Sequence, residues 1–333
     1  MFQTGPIIFL QSFKNDLLTL FMRIISTLGH ESFFVVLCII ILFGISFRKG
    51  FILTQIILLM PIINNILKQI FALPRPLHVD TNVLSFYGNY AEFDFTGKGA
   101  KTFFGLLDKK VISFMRNYAK SHDFSFGFPS GHMMSSTGLW VSLSLLFKKR
   151  IIIIFTPIMI ILMALSRMYL GRHFLADVIG GTIFALIIIF ILYYIYIKFN
   201  LGENLFKKEN YLLKTKNFVL LFYLLIIPLI FLFMLPALAG ILSAINLSFL
   251  IILIRGLPDD QGSVINRILR VNIAFISYVL IYFSIKGLIK LSSINDDIAI
   301  MEFIKNFIPV FSSTILTYFI CLKTKLYKLE NEN

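Results

Sequence analysis

The sequence predicts an all-α polytopic membrane protein, and three observations indicate this class. Hydrophobic residues make up 58% of the 333 residues and the mean hydropathy is +0.86, whereas soluble domains are about 45–50% apolar. The apolar residues form runs long enough for membrane helices, which need about 20 residues each. Charged residues are only 14% of the chain and lie mostly in short clusters between these runs.

Nine apolar segments are candidates for membrane-spanning helices. They are residues 32–48, 51–67, 131–147, 151–166, 175–197, 217–235, 238–254, 271–289 and 305–322. Residues 6–28 are also apolar, but Lys14, Asp16 and Arg23 interrupt the run. One polar face is typical of a helix that lies in the membrane interface, and we expect that arrangement for residues 6–28.

Basic clusters between these segments predict the orientation of the chain. They lie at residues 48–49, 148–150, 198–216, 255–270 and 323–328. If nine spans are threaded in order, all five clusters fall on one side, which the positive-inside rule assigns to the cytoplasm. We therefore expect a cytoplasmic C-terminus and an N-terminus outside. We recognise no retention signal in the chain, so the membrane we expect is a bacterial inner membrane.

The composition argues against other classes of protein. The net charge of +14 could suggest nucleic-acid binding, but basic residues between apolar runs are typical of cytoplasmic loops. Cys38 and Cys321 both lie within apolar runs, so we expect no disulfide and no metal site. The first residues, MFQTGPIIFLQSF, have neither a basic region nor a small-residue cleavage site, so we expect no removable signal peptide.

One long connection, residues 77–130, lies on the predicted outer face and is rich in Phe, Tyr, Gly and Asp. Within it, residues 101–120 have the pattern of an amphipathic helix on the membrane surface. Connections of this length are often functional, so we expect an interfacial aromatic belt or a lid. The chain would then comprise a core, residues 1–200, and further membrane helices, residues 217–322, whose spans contain no polar cluster.

Three polar stretches at the predicted outer face predict an anion site. They are KQIFALPRP at 68–76, FPSGH at 128–132 and SRMYLGRHFLAD at 166–177. Charges near a bilayer are costly, and Lys68, Arg75 and Arg167 would place three positive charges around one spot. A phosphate dianion suits them, because guanidinium groups bind its oxygens in pairs. Ser130 adds a hydroxyl donor, and Gly131 allows backbone approach at a helix N-terminus.

The same stretches contain groups suited to phosphoryl transfer. His173 and Asp177 are four residues apart, so they share one face of a helix. The carboxylate can hold one ring nitrogen and leave the other as a nucleophile. His132 could then protonate the leaving oxygen. The cations would neutralise the developing charge, so we expect no metal and no cofactor.

The three stretches resemble the signature motifs of the type 2 phosphatidic acid phosphatase (PAP2) superfamily. That pattern is Lys, six residues, Arg-Pro; then Pro-Ser-Gly-His; then Ser-Arg, five residues, His, three residues, Asp, and this sequence has all three in order. The resemblance implies a helical-bundle core over about residues 6–198. It also implies His173 as nucleophile, Asp177 as its partner and His132 as acid. The implied phosphate ligands are Lys68, Arg75, Ser130, Gly131 and Arg167.

The predicted function is metal-independent hydrolysis of a lipid phosphate or pyrophosphate at the outer membrane face, through a phosphohistidine. A phosphotransferase that passes the phosphoryl group to another lipid is an alternative, because the same motifs would serve it. A non-enzymatic transporter would place charges near the midplane of its spans, and the polar groups here cluster at one interface. The expected partners are the lipid substrate and membrane lipids; oligomeric state and the identity of the lipid stay open.

Overall fold

The chain folds into helices over residues 3–86, 108–121, 125–208, 218–291 and 298–330, the parts that the computed structural model describes. The α-helices are α1 Gly5–Ser12, α2 Asp16–Thr27, α3 Glu31–Ile39, α4 Phe47–Phe71, α5 Lys109–Ser121, α6 Gly131–Phe147, α7 Arg150–Tyr169, α8 Leu175–Lys198, α9 Leu201–Asn204, α10 Phe218–Leu225, α11 Ile227–Ile230, α12 Pro236–Arg255, α13 Val264–Leu291 and α14 Ala299–Lys323. A π-helix, Ile40–Ile45, continues α3, and a short 3-10 helix, Pro76–His78, follows α4. Within these ranges the one β-type pairing is an isolated bridge between Pro258 and Leu329. The predicted all-α class is confirmed.

Six helices among the described residues are long and apolar enough to cross a membrane. They are Phe47–His78, Arg150–Tyr169, Leu175–Lys198, Pro236–Arg255, Val264–Leu291 and Ala299–Lys323. A bent pair, Asp16–Thr27 with Glu31–Ile45, would make a seventh candidate if it forms one span, although its halves meet at 56°. The chain is therefore an integral membrane protein.

The predicted count of nine spans is not confirmed, and three segments account for the difference. Residues 131–147 form a helix of only 17 residues, α6. Residues 32–48 are interrupted at Ser46, and the helical part up to Ile45 reaches the length of a span only together with α2. Residues 217–235 are broken between α10 and α11, where Pro228 cannot donate the hydrogen bond that would continue the helix.

The chain forms two compact units. One comprises Met1–Phe34 and Leu59–Ile191, and the other comprises Val35–Leu58 and Leu192–Asn333. All three motif stretches belong to the first unit. The division of the chain at residues 200 and 217 remains a prediction about its functional parts.

The N-terminal helices of the first unit pack on α7 and on the start of the long connection. Asn15 caps α2 by accepting a hydrogen bond from Leu18 N (2.8 Å), which satisfies one of the free donors of the first turn. Gln11 is buried and its amide donates to Tyr169 O and Leu84 O, both at 2.8 Å. The start of the long connection is therefore held against the N-terminal helices by hydrogen bonds between the Gln11 side chain and the Leu84 backbone.

The second unit contains a polar network inside its apolar core. Gln55 Nε2 donates to Asn246 Oδ1 (2.8 Å), and Tyr223 OH donates to Gln55 Oε1 (3.3 Å). Asn246 Nδ2 in turn donates to Leu224 O (2.9 Å), near the break between α10 and α11. Asn246 thus links α4 and α12 to the interrupted helix.

Replacing this asparagine is expected to destabilise the second unit. Asn246→Ala removes two hydrogen bonds. It leaves the Leu224 carbonyl and the Gln55 amide without this partner. Side-chain hydrogen bonds in membrane proteins contribute about 0.6 kcal/mol on average and up to about 1.7 kcal/mol. We expect a loss of about 1–2 kcal/mol in the free energy of unfolding, measured by thermal or denaturant unfolding in detergent.

The matched control is Asn306→Ala, because the Asn306 amide bonds within its own helix, to Glu302 O (2.8 Å). Equal losses for the two variants would contradict the structural role given to Asn246.

Candidate active site

The first motif places two cations at the end of α4. Lys68 lies in the last turn of the helix, and Arg75 follows it as the N-cap of the short 3-10 helix. Arg75 Nε donates to Ser125 O (2.7 Å), its Nη2 to Ser125 Oγ (2.9 Å) and its Nη1 to Arg172 O (3.1 Å). Lys68 Nζ lies 3.5 Å from the same Ser125 Oγ. Ser125 therefore connects the two cations of this motif.

The second motif begins α6 and carries a buried hydroxyl. Ser130 is the N-cap of α6 and is fully buried, yet its Oγ has no hydrogen-bond partner among the described residues. Buried polar groups are nearly always satisfied, and a helix N-terminus attracts anions. This arrangement is therefore suited to a phosphate oxygen.

The packing around position 131 requires a glycine, and the sequence alone did not show this. A Cβ at this position would come within 2.9 Å of Asn64 Oδ1. The amide of Asn64 donates to Pro129 O (3.1 Å) and lies 3.1 Å from Met134 Sδ. The glycine thus makes room for Asn64, which holds the turn before α6.

The third motif supplies the buried His173 and Asp177 at the junction of α7 and α8. His173 precedes α8, and Asp177 lies in its first turn. Asp177 Oδ2 accepts a hydrogen bond from Phe174 N (3.0 Å) and lies 3.3 Å from His173 Nδ1. The carboxylate therefore orients the ring through Nδ1 and leaves Nε2 as the second ring nitrogen.

The charged groups of all three motifs surround His173. Burial, and then the positive charges of Arg75, Arg167, Lys68 and His132, hold the pKa of the His173 imidazole well below its ordinary value. The ring is thus neutral at neutral pH, as a nucleophile requires. Backbone contacts join the motifs as well, because Ser130 N donates to Asp177 O (3.0 Å).

Arg167 and His132 lie against the N-terminal helices. Arg167 Nη1 donates to Ser26 Oγ (2.6 Å), and the preceding Ser166 donates to Met22 O (2.6 Å). The His132 ring lies edge-on to His30, with ring centroids 6.5 Å apart. The structure thus brings the predicted site residues together from four helices and their junctions.

Helix α5 covers the first two motifs and forms part of the long connection. Met115 is fully buried in a cluster with Leu73, Phe126 and Phe128. Arg116 donates to Gln69 O (2.8 Å) and Ile70 O (2.6 Å), in the turn that carries Lys68. The predicted amphipathic helix is present from residue 109; residues 101–107 lie outside the described residues.

Three residues that contact the site residues were not predicted from the sequence. They are Asn64, Ser125 and Ser26. Asn64 carried a signal, since it is an amide inside an apolar run one helical turn before Lys68. Ser125 and Ser26 carried none, because a serine near a motif, or far from it in sequence, is ordinary. Among the described residues, no group of three or more His, Cys, Asp and Glu side chains is placed to hold a metal ion.

The model of the PAP2 superfamily matches residues 49–201, which include all three motifs. This segment belongs to the PAP2 superfamily.

Two curated relatives match parts of the chain. Phosphatidylglycerophosphatase B of Bacillus subtilis is 32% identical over 79 residues, which are 21% of this chain and 39% of that protein. Lipid A 4'-phosphatase of Bacteroides thetaiotaomicron is 41% identical over 58 residues, 17% of this chain and 26% of that protein. The chain thus spans less than half the length of either relative.

One solved structure is also similar, the crystal structure of a transmembrane PAP2-type phosphatidylglycerolphosphate phosphatase from Bacillus subtilis. Its sequence identity is 23% and its TM-score is 0.41, over 59% of this chain and 84% of that one.

Helix α8 packs closely on the turn at residues 129–132. This packing predicts how a larger side chain on α8 would change stability. A Cβ on Gly181 would come within 2.7 Å of Ser130 O and 2.9 Å of Met133 Cβ. Because backbone cannot move aside as a side chain can, Gly181→Ala should cost about 1–3 kcal/mol of stability, as overpacking does. Thermal unfolding of the purified protein measures this.

Gly287→Ala is the matched control, because a Cβ there meets no atom within 4 Å. If Gly181→Ala unfolds at the same temperature as Gly287→Ala, α8 does not pack on the turn as described.

Proposed function

We propose that the protein hydrolyses a lipid phosphate or lipid pyrophosphate at the extracytoplasmic face of the membrane, through a phosphohistidine and without a metal. The observation that carries the proposal is the position of His173. Its ring is oriented by Asp177 at Nδ1 and surrounded by Lys68, Arg75 and Arg167, the cations of the first and third motifs. The two phosphatase relatives and the PAP2 match support the same class of substrate.

In the first step, Lys68, Arg75 and Arg167 hold the phosphate oxygens, together with the Ser130 hydroxyl and the N–H groups at the start of α6. Nε2 of His173 attacks phosphorus, the N–P bond forms and the P–O bond to the lipid breaks. His132 gives its proton to the departing oxygen, which leaves as an alcohol or as a lipid monophosphate. The fixed cations stabilise the charge on the transferring group without reorganising.

In the second step, water attacks the phosphohistidine. His132 accepts a proton from the attacking water, the N–P bond breaks and inorganic phosphate is released. The proton that His132 gave in the first step is thereby restored, so the cycle needs no other co-reactant. Asp177 holds the ring and stabilises the positive charge that it carries while phosphorylated.

The lipid would reach this site from the membrane. Its tail would enter sideways between the spans while the head group meets the cations. Helix α5 lies over Leu73, Phe126 and Phe128 beside the motifs, which suits it to limit the access of water and of head groups.

His173→Ala is expected to abolish the release of phosphate, because it removes the ring nitrogen that attacks phosphorus. The measurement is phosphate release from a panel of lipid phosphates in detergent, with EDTA present throughout. A loss of about a thousandfold or more is expected, as for other catalytic nucleophiles.

Unchanged unfolding temperature would show that His173→Ala remains folded. Equal phosphate release by the variant, or release that EDTA abolishes in the unaltered protein, would refute the mechanism. Transfer of labelled phosphate to an added lipid alcohol in place of water would identify a phosphotransferase.

The proposed orientation places residues 148–150 in the cytoplasm, the motifs outside and the protein in a bacterial inner membrane. It predicts that Asn82→Cys is labelled by an impermeant thiol reagent added outside sealed cells, and Lys149→Cys only after lysis. Both positions are exposed. The background would carry Cys38→Ala and Cys321→Ala. The opposite labelling pattern would place the site in the cytoplasm.

A further inference from the structure

Helix α2 is hydrogen-bonded to the third motif, although it lies outside residues 49–201, the segment that the family model matches. Ser26 Oγ accepts a hydrogen bond from Arg167 Nη1 at 2.6 Å. The two residues are 2% and 4% exposed. This is a buried contact between a helix of no assigned role and a cation of the phosphate site.

Two further contacts fix α2 in register along α7. Ser166 donates to Met22 O (2.6 Å), one helical turn before Ser26. Thr19 Oγ1 and Tyr169 OH lie 2.7 Å apart, one turn earlier again. Ile25 packs in the same cluster as Met163 and Met168. The position of the Ser26 hydroxyl is therefore set by the whole helix rather than by its own side chain.

The turn after α2 also closes on the second motif. A Cβ on Gly29 would lie 2.9 Å from His132 Cδ2 and 2.9 Å from Met163 Cε. A glycine is therefore needed for the chain to pass this close to the His132 ring. The end of α2 and the following turn thus contact both Arg167 and His132.

We propose that Ser26 is a positioning residue that orients the Arg167 guanidinium for binding phosphate. The inference rests on the proposed function of the site. An arginine side chain has several rotatable bonds, and only some of its conformations present the planar group to two phosphate oxygens. A guanidinium has five N–H donors, so one contact at Nη1 is compatible with binding phosphate through others.

A purely structural role for Ser26 makes different predictions. If the hydroxyl only satisfied a buried donor, its loss would lower stability and leave the affinity for phosphate unchanged. If it orients Arg167, its loss weakens phosphate binding, and the effect requires Arg167. Coupling between two residues of this kind appears as non-additivity in a double-mutant cycle.

The experiment measures the binding of inorganic phosphate to the full-length protein in detergent by calorimetry. The variants are Ser26→Ala, Arg167→Ala and the double variant, with Ser26→Thr as the version that keeps a hydroxyl. Thr27→Ala is the matched control, because the Thr27 hydroxyl is on the adjacent exposed residue and bonds its own helix at Ile24 O (2.6 Å).

Ser26→Ala should weaken phosphate binding on the order of tenfold, the size expected for a hydrogen bond to a charged group. Ser26→Thr and Thr27→Ala should bind phosphate much as the unaltered protein does. In the absence of the Arg167 guanidinium, Ser26→Ala should have no further effect. Unfolding temperatures of all variants are measured alongside.

Additive effects of Ser26→Ala and Arg167→Ala would overturn the proposal, as would equal weakening by Thr27→Ala. Binding of phosphate with this pattern, but without hydrolysis of any lipid, would sustain the positioning role and overturn the proposed function instead. If the unaltered protein does not bind phosphate, the positioning role and the phosphate site both fall.

Discussion

Three basic side chains, those of Lys68, Arg75 and Arg167, meet around one buried histidine in a protein that spans a membrane. Like charges repel strongly when water is excluded, so each needs an acceptor that keeps it in place. Arg75 is held by the Ser125 and Arg172 carbonyls, and Arg167 by the Ser26 hydroxyl. These acceptors are uncharged, and the carboxylate of Asp177 acts electrostatically on both Lys68 and Arg75. The ligand that we propose for this site is a phosphate dianion.

The rest of the first unit can be understood as the support for this arrangement. The motifs come from the end of α4, the start of α6 and the junction of α7 with α8. Hydrogen bonds between their backbones join them, such as Ser130 N to Asp177 O and Gly127 N (2.7 Å) to Leu73 O. The N-terminal helices and α5 close the site from other directions. A change in any of these supports can thus alter the geometry at His173 without touching it.

The sequence predicted the helical class and the cluster of site residues, because both depend on strong local signals. Long apolar runs define membrane helices, and charged residues beside such runs are too costly to occur by chance. The count of spans was less predictable. Hydropathy does not show that α6 has 17 residues or that Pro228 interrupts the segment 217–235.

The contacts that orient the site residues could not be predicted from local pattern. Ser26 and Arg167 are 141 positions apart, and Asn64 meets Pro129 across 65. The residues next to Ser26 and Asn64 in the sequence do not specify the partner of either side chain. Gly131 illustrates the same limit, because its sequence context indicated phosphate binding while its packing also accommodates Asn64.

The most direct test of the central claim is to look for the phosphoryl group on the protein. The full-length protein would be mixed with a lipid phosphate labelled at phosphorus, quenched rapidly in alkali and digested for mass analysis. The account predicts an acid-labile label on His173 that appears and decays faster than turnover and is missing in His173→Ala. Phosphate release with no label at any time, or a label on another residue, would contradict it.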